Sequence, residues 1–330
     1  MKNFKYDLVV IIPCFNESEN IISTIKSIKK SNVTFKLFFI IVDDNSTDDT
    51  YDVVAGYFKL KNIDGKIVKN KNKPGAGGAR NTGLSNLPNT EFILFFDADD
   101  TMLEQSLEKI LTIAYSSSAD LIITKYQYKS CNKEIYRKML PSDELLWNKF
   151  YKSNSEIKLK DKPDLIKLIN YPWNKIIRKD YVDKIDLKFS ETIVHNDIYA
   201  HWIMMVKSQS ILLADVVICE HIVFNNGKNI TNISDERRVE IFQALNDVEN
   251  IFSRSPFLEP FYYKQFIEFK RNLCDWALNR IDPTHKLEFE KALSNSFSNL
   301  DLKRFINLFN KSPLLAFYAA QKKFGIWEGL

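Results

Sequence analysis

Directly behind the apolar run at residues 92–96 the chain places three carboxylates, Asp97, Asp99 and Asp100, within four positions. The five apolar residues before them predict a fully buried strand. Like charges this close repel one another unless something positive sits among them. An acid-x-acid pair at the C-terminal edge of a strand is where an α/β sheet can hold a divalent metal and the phosphates it bridges. Alone, such a pair is more often a solvated turn. Here it is the last of four polar clusters, after Pro13-Cys14-Phe15-Asn16-Glu17, Asp43-Asp44-Asn45-Ser46-Thr47-Asp48 and Gly75-Ala76-Gly77-Gly78-Ala79-Arg80-Asn81-Thr82-Gly83. The glycines allow close approach of backbone to a ligand. Arg80 can pair with a phosphate or with the carboxylates; the alternative is a flexible loop carrying a surface arginine.

Elements must position these clusters. Residues 6–12 read as a β run stopped by Pro13, and Ile21, Ile22, Ile25 and Ile28 mark one helix face. Residues 37–42 form a second buried strand. Ser46-Thr47-Asp48-Asp49 then has capping-box spacing for a helix that buries Val53, Val54, Tyr57 and Phe58. A short strand at 66–68 precedes the glycine loop, which runs into another helix. After residues 92–96, a helix carries Leu103, Leu107, Ile110, Leu111 and Ala114 on one side. Strands alternating with helices predict an α/β fold with a mainly parallel sheet covered on both faces.

Beyond residue 120 the pattern is mixed. It predicts a strand at 121–128, a short helix at 164–170 and one or two strands over 211–224. From Ser234 onward no strand signal survives. Segments 238–252, 262–281, 287–297 and 302–309 read as amphipathic helices, with breaks at Pro256, Pro260, Pro283 and Pro313.

A chain of 330 residues can bury a full core, and 45% hydrophobic with 27% charged residues is ordinary for a globular protein. The net charge of +4 does not call for nucleic acid, while leaving room for a basic patch toward a phosphorylated or membrane-borne substrate. Cys14, Cys131, Cys219 and Cys274 lie far apart, which argues against a zinc site and for a reduced, cytoplasmic protein. No apolar run is long enough to span a bilayer.

The order and spacing of the four clusters resemble the family 2 glycosyltransferases, a GT-A-fold group that uses nucleotide sugars. Tyr171-Pro172-Trp173-Asn174-Lys175 is similar to a Trp-x-Lys element of bacterial capsule and lipooligosaccharide members. Glu191 and His195-Asn196-Asp197 stand where that family carries its Glu-Asp signature, with Asn196 in place of the glutamate.

The resemblance implies a GT-A catalytic domain over 1–232, with a nucleotide-sugar half at 1–115 and an acceptor half at 116–232. A helical subdomain follows at 233–330. It implies that Asp44 accepts from the uracil imide, that Pro13 and Phe15 frame the base or ribose, and that Glu17 is a second polar contact. Capping of the following helix is the competing role for Asp43 and Asp44. Gly75, Arg80, Asp97 and Ala98 complete the donor site. Asp99 binds Mn²⁺ or Mg²⁺, with Asp97 contacting ribose or the metal through water, and Asp100 is free to cap the next helix.

Asp197 becomes the general base of an inverting transfer, against a plain helix-cap role. His195 tunes that base, binds acceptor or is structural. Trp173 stacks on a sugar or packs in the core, and Lys175, His195 and Asn196 lie on the acceptor side. Relatives carry Arg and then Ser-Ile-Thr in a late lid, where this chain has Asn225-Asn226-Gly227-Lys228-Asn229-Ile230-Thr231. Lys228 is the stand-in cation.

The expected function is transfer from a UDP-sugar to a hydroxyl of a surface glycan or lipid-linked glycan, at the inner face of the cell membrane. A sugar nucleotidyltransferase would need a basic Gly-rich segment after the first strand, which Pro13–Glu17 lacks. A non-catalytic relative that only binds nucleotide or glycan would lack the base. The aromatic C-terminal helices, ending in Lys322-Lys323-Phe324 and Trp327, either pack on the core, touch a membrane surface or form a homodimer.

Overall fold

The computed structural model describes residues 4–130, 133–153, 155–223 and 233–326. The lid residues Phe224–Thr231, together with Cys131 and Trp327, lie outside the described residues. The first third alternates β1 (Tyr6–Cys14), α1 (Ile21–Lys30), β2 (Leu37–Asp43), α2 (Thr50–Lys61), β3 (Gly65–Lys69), α3 (Ala76–Leu84) and β4 (Thr90–Phe95). Then come β5 (Thr101–Met102), α4 (Ser106–Tyr115), β6 (Leu121–Ser130), β7 (Lys133–Arg137), α5 (Pro141–Phe150) and β8 (Glu156–Ile157). The chain continues with β9 (Lys175–Arg178), α6 (Lys179–Ile185), α7 (Ile198–Lys207) and β10 (Ile211–Val223). Five helices end the described chain: α8 (Ile241–Arg254), α9 (Glu259–Leu278), α10 (Lys286–Asn295), α11 (Leu302–Phe309) and α12 (Pro313–Lys323).

The strands form one sheet in the order β3-β2-β1-β4-β9-β6-β10-β5, with β7 on β6 and β8 on β10. Strands β3, β2, β1 and β4 run parallel, so their C-terminal ends share one edge. Leu8–Ile12, Ile40–Val42 and Phe92–Phe96 are fully buried, as strands covered on both faces must be. Pro13 does not stop β1: it sits opposite Val42, and the strand runs on to Cys14.

The short β9 enters antiparallel between β4 and β6. Arg178 at its end pairs with Glu91 of β4, donates to the Ala119 carbonyl at 2.9 Å and covers the Phe92 ring at 4.9 Å. Of residues 211–224, expected as one or two strands, the described part forms the single β10, whose pairing with β6 shifts register twice. The expected helix at 164–170 is a 3₁₀ turn at Pro163–Lys167.

The C-terminal helices do not stand apart. Lys167 pairs with Glu268 of α9 at 2.9 Å. Asp247 of α8 accepts from the Ser190 hydroxyl at 2.6 Å, and Glu240 accepts from the Ile193 amide at 2.6 Å. Both bonds fasten the segment leading to Asp197.

Candidate active site

At the shared strand edge, β2 delivers Asp43 and Asp44 to the start of a loop. Asp43 accepts from the Ser46 amide at 3.2 Å, as a turn-forming aspartate does. Asp48, not Asp44, holds the start of α2, accepting from the Thr50 amide at 3.0 Å and the Ser18 amide at 3.1 Å. Asp44 is instead drawn toward the glycine loop. Its two oxygens accept from Asn70 Nδ2 and from the Gly75 amide, each at 2.6 Å. Gly75 has φ 120°, a value that L side chains rarely adopt, so this amide is aimed by a glycine.

Phe15 is exposed beside this edge, while Glu17 is half-buried, with its carboxyl pushed up by burial. Asn16 at φ 55° ties the two loops together: its side-chain oxygen accepts from the Thr47 amide at 2.7 Å. Pro13 is half-buried at the end of β1.

Helix α3 lies close against the segment that precedes α7. A Cβ on Gly77 would come within 2.1 Å of the Ser190 carbonyl oxygen. That approach brings Arg80, buried, into a bridge: one guanidinium nitrogen donates to Asp97 at 2.7 Å and the other to Asn196 Oδ1 at 2.7 Å. The arginine therefore pairs with a carboxylate and with the residue beside Asp197, and is no loose surface group.

The turn after β4 is clamped by α1. The Thr24 hydroxyl lies 2.7 Å from the Ala98 carbonyl oxygen and 3.0 Å from that of Asp100. Asp97 and Asp99 stay partly open, whereas Asp100 is buried. Asp100 does not cap α4, whose cap position is Gln105. Its carboxylate meets His221 Nδ1 at 2.9 Å and accepts from the Ile222 amide at 3.2 Å. Burial works against a proton on His221, but the Asp100 hydrogen bond and charge outweigh it and hold the imidazole above its usual range.

The Asp99 carboxyl is pushed up to about 7 by burial and by the charges of Asp100, Asp97 and Glu17. Asp97 and Asp99 present only oxygen donors, which suit Mn²⁺ or Mg²⁺. Among the described residues no three His, Cys, Asp or Glu side chains converge as a cage.

Asp197 occupies the cap position of α7 without making a side-chain capping bond, so the plain helix-cap role is not what its carboxylate does. Burial pushes its carboxyl up, against the pull of the Arg80 and Lys175 charges and an Asn170 hydrogen bond. His195, at φ 58°, is held down to about 4 by burial and by Arg238, and its ring meets the edge of Trp276 of α9 at 5.9 Å.

Two acceptor-side expectations need correction. Trp173 is buried, stacked on Tyr171 at 4.8 Å and on His221 at 5.5 Å, so it has no face to offer a sugar. Lys175 is also buried; its ammonium donates to the Ile169 carbonyl at 2.9 Å, the Tyr171 carbonyl at 2.6 Å and Asn174 Oδ1 at 2.8 Å. Three donors and three acceptors leave nothing for a ligand. Both side chains support the site from beneath.

Sequence reasoning missed His221, Asn70 and Asn170. His221 lies 121 positions from Asp100, and a single histidine in a strand carries no signal of such a partner.

The profile of Glycosyl transferase family 2 matches residues 9–186, more than half of the chain. The chain belongs to that family. It is 27% identical over 260 residues to poly(ribitol-phosphate) beta-N-acetylglucosaminyltransferase TarP of Staphylococcus aureus (strain N315), spanning 75% of this chain and 72% of that protein. It is 23% identical over 263 residues to UDP-Glc:alpha-D-GlcNAc-diphosphoundecaprenol beta-1,3-glucosyltransferase WfgD of Escherichia coli, spanning 79% of this chain and 92% of that one. The crystal structure of S. aureus TarS 1-349 in complex with UDP-GlcNAc superposes with a TM-score of 0.73 at 19% identity, over 97% of this chain and 89% of that chain. The fold is thus GT-A, and this family 2 member is a glycosyltransferase.

Proposed function

We propose that this glycosyltransferase is inverting and moves a sugar from a UDP-sugar to a hydroxyl of a surface glycan, free or lipid-linked. The observation that carries this reading is the Arg80 bridge, which ties Asp97 of the acid-x-acid turn to Asn196 beside Asp197. The bridge supports this reading because it links a proposed donor carboxylate to the neighbour of the candidate base, about a hundred positions away in sequence.

Asp44, held by Asn70 and Gly75, keeps lone pairs for the imide N–H of uracil. Pro13 and Phe15 flank the base and ribose, with Glu17 as a polar contact; Ala98 is the small residue between the paired aspartates. Glycosyltransferases of this fold commonly work with a divalent metal. Asp99 and Asp97 would hold Mn²⁺ or Mg²⁺, which when bound supplies Lewis-acid stabilisation of the departing diphosphate.

Asp197 takes the proton from the acceptor hydroxyl as its oxygen bonds to the anomeric carbon. The bond from that carbon to the UDP oxygen breaks on the opposite face, inverting the configuration. The UDP donor is supported by the names of WfgD and of the TarS complex, and the glycan acceptor by those of TarP and WfgD.

Calorimetry of UDP with and without Mn²⁺, on wild type and Asp99→Ala, tests the donor site. Metal-dependent binding lost in the variant is expected. Binding of CDP, GDP or dTDP in place of UDP would change the donor class, and no nucleotide binding would overturn the reading.

A further inference from the structure

Helices α11 and α12 pack on α9 and α10 through Leu308, Leu315, Ala316 and Ala319, yet their outer side is apolar as well. Leu302, Ile306 and Phe309 recur at i, i+4 and i+7, which sets them on one face of α11. They are exposed, Leu302 by 73% and Ile306 by 48%. On α12, Leu314 is exposed by 74% and Phe317 by 47%. The two helices share this surface: Phe309 meets Phe317 at 5.7 Å, and both rings touch Phe305, at 6.1 and 6.2 Å.

The charge along this stretch of the chain is one-sided. Residues 300–326 hold five basic side chains and a single acid, Asp301. Arg304 is neutralised by Glu249 and Glu259 of the neighbouring helices. Lys311 and Lys323 bond to the carbonyls of Pro260 and Leu300, uncharged partners that leave the positive charge in place. Lys303 is exposed on the side of α11 away from the core.

We propose that the outer face of α11 and α12 rests on an anionic lipid surface, with the apolar row in the headgroup boundary and the lysines beside it against lipid phosphates. A second copy of the chain is disfavoured by the same charges, since it would set one basic rim against another. None of the helices among the described residues is long and apolar enough to cross a membrane, so the contact is peripheral. The inference goes beyond the donor and acceptor reading and stands without it.

Sedimentation of the full chain with phosphatidylglycerol and with phosphatidylcholine vesicles tests it. Binding to the anionic vesicles is expected, weakened at least about tenfold by high salt or by phosphatidylcholine alone. The variant Ile306→Ser/Phe317→Ser loses binding by about tenfold or more with its thermal melt preserved, and Lys303→Glu/Lys311→Glu loses it on anionic vesicles. No binding to anionic vesicles, or binding that survives both variants, overturns the proposal. So does light scattering that shows an assembly dissolved by Ile306→Ser/Phe317→Ser, which would give this face to a second copy. The readout is lipid association, which does not depend on the identity of the donor, so failure of the donor reading and failure of the membrane contact are told apart.

Discussion

In the first half of the chain Pro13, Asp97 and Asp99 stand at strand ends with part of their surface open, whereas in the second half Trp173 and Lys175 lie wholly inside the protein. Both sets are conspicuous as motifs. A carboxylate just past a parallel strand is carried to the sheet edge by the strand itself, so its position follows from local sequence. A residue in an inserted antiparallel strand such as β9 is placed by neighbours remote in sequence, and its chemistry is spent on them. Conspicuous residues therefore divide into those left open at the sheet edge, which we propose meet a ligand, and those whose polar and aromatic groups are spent inside the protein.

The sharpest way to break this division is at Asp197. Replacing it with Asn should lower transfer by about 10² to 10⁴-fold while UDP still binds, measured by turnover and calorimetry side by side. A variant with wild-type turnover would remove Asp197 from the open, ligand-facing class. On the proposed reading the same residue contributes to the pH dependence. Its carboxyl is raised by burial, and the base must be deprotonated, so kcat/KM should fall as pH drops through a point above the ordinary carboxylate value of about 3.9.

Lys175 tests the other class. Lys175→Met leaves the Ile169 and Tyr171 carbonyls and Asn174 without their donor, and should cost about 3 kcal/mol or more in denaturant unfolding. If the folded variant instead kept its stability and lost acceptor affinity, Lys175 would move into the ligand-facing class.

Arg80 belongs to both classes and should show an intermediate effect. Arg80→Lys keeps the charge but loses the fork that reaches Asp97 and Asn196 together, and a drop in kcat/KM of about 10 to 100-fold is expected from steady-state kinetics. The smallest effect concerns His195. Its imidazole is kept neutral down to about 4 in the fold, while the unfolded chain takes up a proton near 6.5. Stability should therefore decline as pH falls from about 6.5 toward 4, and His195→Phe should flatten that slope in thermal melts.

The first third was legible where a strand is an uninterrupted apolar run followed by polar residues, as in residues 37–42 before Asp43 and 92–96 before Asp97. Helix α7 was not, because Ile198, Ala200, His201, Trp202 and residues 203–206 are buried on every side, which erases the 3.6-residue period. Strands β5 and β8, two residues each, are too short to show a period. The pairing of Asp100 with His221 is a product of the sheet order alone.

Glu240 and Asp247 grip the loop that ends in Asp197 from beyond residue 232, where the family resemblance implies the end of the catalytic domain. Removing everything past that point would take both anchors away. The helices thus act on the site through these two bonds, and a shortened chain should lose turnover well before it loses its sheet.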